Sequence, residues 1–202
     1  MEIALLDVSA VTGLCAMVTL TVNVLFGMLL STGYKTSRWW KKLPMFLRKM
    51  NIRRLHNQTA YLALLLVLVH PVLLVFDKDT KFRLADIVFP LHAPHQRFFV
   101  LLGTLAMFAL IVVIITTQQI VKRKMTFRLW KNIHLVSYAT AMLFIVHGFK
   151  MDPELKDRAT DWFDGEKLVC WACLFILLAA SWIRIKYHRQ SSAREDQFSA
   201  TG

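Results

Sequence analysis

Four histidines fall in two apolar stretches of this 202-residue chain at nearly matched spacings. His56 and His70 are 14 residues apart, and His134 and His147 are 13 apart. An imidazole in such a stretch can hydrogen-bond a neighbouring helix, pass a proton or ligate a metal. One alone is as well explained by packing. Ionisable groups at membrane depth are rare and usually functional, and four paired by depth point to ligation. At 1.5 Å rise per residue each pair is separated by roughly 20 Å along its helix. Two levels with two facing imidazoles each suit two haem planes in the interior of a bundle. A spacing of 14 keeps His56 and His70 on one face. A spacing of 13 turns His134 and His147 about 140° apart on an ideal helix, so periodicity alone does not predict the second pair.

The elements that carry these residues follow from hydropathy. The chain is 56% hydrophobic, and five blocks approach or reach the roughly 20 residues that cross a hydrocarbon core. They are Ala10–Leu30, His56–Phe76, Phe98–Thr116, Ile133–Phe149 and Leu168–Ile185. Lipid offers no partner to backbone N–H and C=O groups, so each block is predicted to be helical. The fold class is therefore an all-α integral membrane bundle of about five transmembrane helices. Glu2 and Asp7 without an early Lys or Arg make the first block a retained helix rather than a leader.

The net charge of +12 is a topology signal and does not call for nucleic acid. Residues 31–55 and 121–131 are rich in Lys and Arg with no acid, whereas residues 77–97 and 150–167 mix both signs. The positive-inside rule puts the N-terminus outside and both basic loops and the C-terminus in the cytosol, as in a bacterial inner (cytoplasmic) membrane. Anionic membrane lipid is the expected partner of the basic faces. Tyr34, Trp39 and Trp40 read as an aromatic belt, and the run from Pro44 to Met50 as an interfacial helix. Residues 1–187 are expected to form one haem-binding domain, and residues 188–202 a disordered cytosolic tail.

The run Arg54-Leu-His-Asn-Gln-Thr-Ala-Tyr, continuing to His70-Pro, resembles the first haem-ligand helix of the ferric reductase-like transmembrane family. Arg128-Leu-Trp-Lys-Asn-Ile-His-Leu-Val-Ser-Tyr, continuing to His147-Gly, resembles the second. This superfamily includes ferric-chelate reductases and NADPH oxidases, and the unequal 14 and 13 spacing is its habit. The likeness covers Leu55 to about Lys150. It implies two haems b, with His56 and His134 on the inner iron and His70 and His147 on the outer one. Two imidazoles per iron leave no open coordination position, which favours outer-sphere electron transfer.

Haem propionates need cationic partners. Arg53, Arg54, Arg128 and Lys131 flank the inner ligands, and Arg97 and Lys150 lie near the outer boundary. Topology alone would explain most of them. Pro71, after His70, frees the carbonyl of Val67 and reads equally as a kink beside the haem or as an ordinary membrane proline. His92 and His95 read as a solvated loop, Cys170 and Cys173 as packed thiols, and Asn23 as glue between helices. Tyr61, Tyr138 and Phe144 either line the space between the haems or simply pack.

These features predict electron transfer from a cytosolic or membrane donor, through two stacked haems, to an external acceptor such as ferric ion, oxygen or a redox partner. No Gly-x-Gly-x-x-Gly or P-loop occurs, so the electrons are expected from a separate flavoprotein, from quinol, or from a flavin on the cytosolic face. One rival is a haem subunit feeding a periplasmic oxidoreductase such as a methionine sulfoxide reductase, a family that usually lacks a match to His56. The other is a non-redox metal or proton transporter, which would usually recruit acids within the membrane.

Overall fold

A computed structural model describes residues 5–152 and 162–200, with side chains left out at 36, 39 and 191–200. In chain order the helices are α1 (Leu5–Leu30), α2 (Arg38–Lys41), α3 (Met45–Arg48), α4 (Ile52–Phe76), α5 (Leu84–Val88), α6 (Arg97–Thr117), α7 (Gln119–Lys122), α8 (Phe127–Lys150) and α9 (Gly165–Ala200). Five of them, α1, α4, α6, α8 and α9, are long and apolar enough to cross a membrane. The molecule is an all-α bundle built on those five.

Hydropathy places the starts of α4 and α8 too late. Asn51 caps α4, its side-chain oxygen accepting from the Arg54 N–H at 3.1 Å. Thr126 caps α8 in the same way through the Leu129 N–H at 3.3 Å. Each cap satisfies a donor that the helix itself cannot, and lets a polar first turn precede the apolar run. As a result His56 and His134 lie inside helices rather than at their edges. At the other end, α9 continues through residues 188–200, the polar stretch that composition alone leaves without structure.

The helices pack in antiparallel pairs. α4 lies along α1, α8 lies along α6, and α9 closes against α1 and α8. α4 and α8 have no comparable direct packing among the described residues, so the two histidine-bearing helices face each other across side chains. Fully buried small residues let backbones approach: Ala63 on α4 and Ala106 on α6 are both 0% exposed. Cys170 and Cys173 are free thiols buried in this core. Where α4 ends, the Asp77 carboxylate accepts the Leu6 N–H at 3.1 Å and so caps the start of α1.

The basic segment between α1 and α4 departs from the belt reading. Tyr34 and Trp40 meet edge to face at 4.6 Å and are buried with Ile52 against Phe26 and Leu30. Trp39 lies outside the described side chains. α3 is a single turn that exposes Met45 and Phe46, as an interfacial segment does.

Candidate functional site

The four histidines meet as two pairs between α4 and α8. The rings of His56 and His134 have centres 6.1 Å apart with planes at 77°. Those of His70 and His147 are 6.2 Å apart at 79°. The 13-residue spacing on α8 is thus accommodated, and the two α8 rings are held differently. His147 Nδ1 donates to the Phe99 carbonyl of α6 at 2.8 Å. His134 instead stacks on Trp130 of its own helix, 5.3 Å between centres, and among the described residues its Nδ1 has no partner. On α4 both rings turn to α1: His56 Nδ1 donates to the Asn23 carbonyl at 3.0 Å, and His70 Nδ1 to the Ser9 carbonyl at 2.8 Å.

A carbonyl oxygen only accepts, so Nδ1 carries the proton in these three rings and Nε2 keeps its lone pair. This is the tautomer of a metal-ligating imidazole with its second nitrogen fixed by the protein. Among the described residues no three His, Cys, Asp or Glu side chains gather into a metal site made by protein alone. A porphyrin supplies four nitrogens itself and asks the protein for two axial ligands. A metal–imidazole bond of about 2 Å on either side, with about 1 Å from nitrogen to ring centre, sets two axial rings about 6 Å apart. Both pairs have that separation, so the donor set fits a haem at each level.

The site has a basic end and a far end. Beside His70 and His147 a cavity opens between α1, α4, α6 and α8, walled by Gly13, Pro71, Met107 and Phe144 and edged by the acids Asp86 and Glu166. A buried cation at this end is Lys167, 4% exposed, whose ammonium donates to the Gly148 and Met151 carbonyls at 2.9 and 2.7 Å. It closes the C-terminal end of α8 directly after His147. Of the cations expected here, Arg97 donates to the Ala93 carbonyl and Lys150 lies over the Trp162 ring. His92 is exposed in the loop, and His95 lies near the Phe82 ring.

At the basic end Arg54, Arg128 and Lys131 sit in the first turns of α4 and α8 with exposed side chains. Two other cations reach further in. Arg184 of α9 hydrogen-bonds the Tyr138 hydroxyl one turn along α8 from His134. Lys122 lies over the Trp130 ring at 3.9 Å, on the aromatic that stacks with His134. Arg184 lies near the end of the last apolar block, and its pairing with Tyr138 is visible only in the three-dimensional packing. Of the aromatics between the levels, Phe144 is at the far-end cavity, Tyr138 holds Arg184, and Tyr61 hydrogen-bonds Gln118 at an exposed position.

Residues 12–145 match a family described as the ferric reductase like transmembrane component. The match takes in most of α1, which the motif resemblance does not reach, and stops two residues before His147. No curated protein and no solved structure matches the chain.

Proposed function

Since the chain belongs to the ferric reductase-like transmembrane family, we propose that it carries electrons across a membrane through two haems b. His56 and His134 ligate one and His70 and His147 the other. When bound, the haems supply one-electron redox chemistry, while the protein contributes binding, orientation and electrostatic tuning. The observation that carries this reading is the pair of imidazole separations, 6.1 and 6.2 Å, each suited to one metal.

The remaining roles follow from position. The carbonyls of Asn23, Ser9 and Phe99 orient three of the rings and hold their tautomer. Arg184 and Lys122 supply positive charge beside the basic-end pair, with Arg54, Arg128 and Lys131 further out. Lys167 does so at the far end. The basic loops face the cytosol, so the His56–His134 level receives electrons from a flavoprotein, quinol or flavin. The His70–His147 level delivers them outside, to ferric ion, oxygen or a redox protein. Residues 1–187 make up the haem-binding unit, and residues 188–202 lie in the cytosol. The closeness of His56 to His134 favours two haems over a subunit type that lacks a match to His56.

The test is transmembrane electron transfer. Vesicles carrying the purified protein and trapped ferricyanide receive a membrane-impermeant reductant outside. Bleaching of the ferricyanide at a rate that scales with protein, and is absent from His70→Ala vesicles, supports the reading. Bleaching no faster than in protein-free vesicles overturns it.

A further inference from the structure

We infer that α1 carries a duplicated clamp, repeated in register with the α4 histidines, that fixes each imidazole in its ligating pose. The inference rests on the two-haem reading above. Each copy is a polar residue followed four positions later by glycine: Ser9 with Gly13, and Asn23 with Gly27. The copies are 14 residues apart, as are His56 and His70, and the antiparallel packing of α1 on α4 sets Gly13 against His70 and Gly27 against His56.

Each copy holds its histidine twice. The Ser9 carbonyl accepts from His70 Nδ1 at 2.8 Å, and the Ser9 hydroxyl donates back to the His70 carbonyl at 2.8 Å. The Asn23 carbonyl accepts from His56 Nδ1 at 3.0 Å, and its side-chain amide donates back to the His56 carbonyl. The glycine provides access. A carbonyl inside a helix is already directed at the N–H four residues on, and the side chain at that position shields it from the flank. A Cβ on Gly13 would stand 3.0 Å from the His70 ring, and one on Gly27 3.3 Å from the His56 ring. Without a Cβ there, the imidazole reaches the carbonyl edge-on.

The same half-clamp recurs on α6. The Phe99 carbonyl holds His147 Nδ1, and a Cβ on Gly103, again four residues on, would meet that ring at 2.8 Å. Counting 13 residues along both antiparallel helices brings Thr116 to the level of His134. That position carries a side chain, bonded to its own helix through the Val113 carbonyl, and among the described residues His134 Nδ1 has no acceptor. Three ligands are therefore locked by a carbonyl beside a glycine, and the fourth rests on Trp130. Gly13, Gly27 and Gly103 are positioning residues, and the basic-end haem has one unlocked ligand.

The test compares alanine variants of the full-length protein, purified from haem-replete cells, by haem content per chain and by the low-spin ferric resonance of each haem. Gly103→Ala and Gly13→Ala are expected to lose or broaden the same one of two resonances and to lower haem content from two towards one. Gly27→Ala, with the longer contact, shifts the other resonance with less loss. Ser9→Ala keeps both haems and shifts only the Gly13-sensitive resonance. A Cβ on Gly165 meets nothing within 4 Å, so Gly165→Ala retains the wild-type resonances. Two haems with unchanged resonances in Gly13→Ala and Gly103→Ala overturn the clamp alone, as does an equal loss in Gly165→Ala. A wild type without haem overturns the parent reading and the clamp with it.

Discussion

At the scale of single residues, the two histidine pairs divide the molecule into separable sites. His70→Ala and His147→Ala are each expected to reduce haem content from two per chain to one and to remove the same spectral component. His134→Ala should remove the other component, read by reduced-minus-oxidised absorbance on purified protein. Retention of both components in His134→Ala would refute its role as a ligand. Arg184 affords a finer test, because its guanidinium is bonded to Tyr138 one turn from His134. Removing a positive charge near an iron favours the ferric state. Arg184→Gln should therefore lower the midpoint potential of the basic-end haem by an amount on the order of tens of millivolts, leaving the other unchanged. A redox titration resolves the two. The two histidine pairs are legible in the sequence because imidazoles at membrane depth have few other uses. Ser9, Phe99 and the three glycines are not, since a backbone carbonyl carries no side-chain signature and a glycine in a membrane helix is ordinary by itself. Their roles exist only once α1 and α6 are laid against α4 and α8.

At the scale of the elements, five spanning helices follow from hydropathy because lipid leaves the backbone no alternative. Their starts do not, because Asn51 and Thr126 begin helices on polar turns that no hydropathy window includes. Helix ends matter for the site. The buried Lys167 ammonium ties the last turn of α8 to the first turn of α9 through two carbonyls, directly after His147. Lys167→Met leaves those carbonyls without their donor and should cost about 1–3 kcal/mol of stability. Thermal unfolding in detergent, followed by release of the far-end haem, measures it; unchanged release would show that the cap does not support the ligand. Ala63→Leu, at a position with 0% exposure, should destabilise by about 1–3 kcal/mol through overpacking. The same unfolding assay reads it.

At the scale of the whole molecule, the proposed direction of electron flow rests on the charge of the loops. Single cysteines placed at Lys35 or Lys124 in a background lacking Cys15, Cys170 and Cys173 should be labelled by an impermeant thiol reagent only from the cytosolic face. Labelling from outside would reverse the direction of electron flow. Hydropathy is enough to read the fold class, and histidine spacing with the motif resemblance is enough to pair the four histidine rings. The packing of α1 on α4 and of α6 on α8 is not legible in this way, since every block is apolar enough to face lipid or protein alike. Electron passage by this route requires each pair of rings to share one iron. Haem quantification together with ferric resonance spectra on the purified chain tests this most directly. The prediction is two b-type haems per chain, both six-coordinate and low-spin, with the strong anisotropy that near-perpendicular imidazole planes of 77° and 79° impose. A chain that binds no haem from haem-replete cells, or binds it only high-spin, would contradict it.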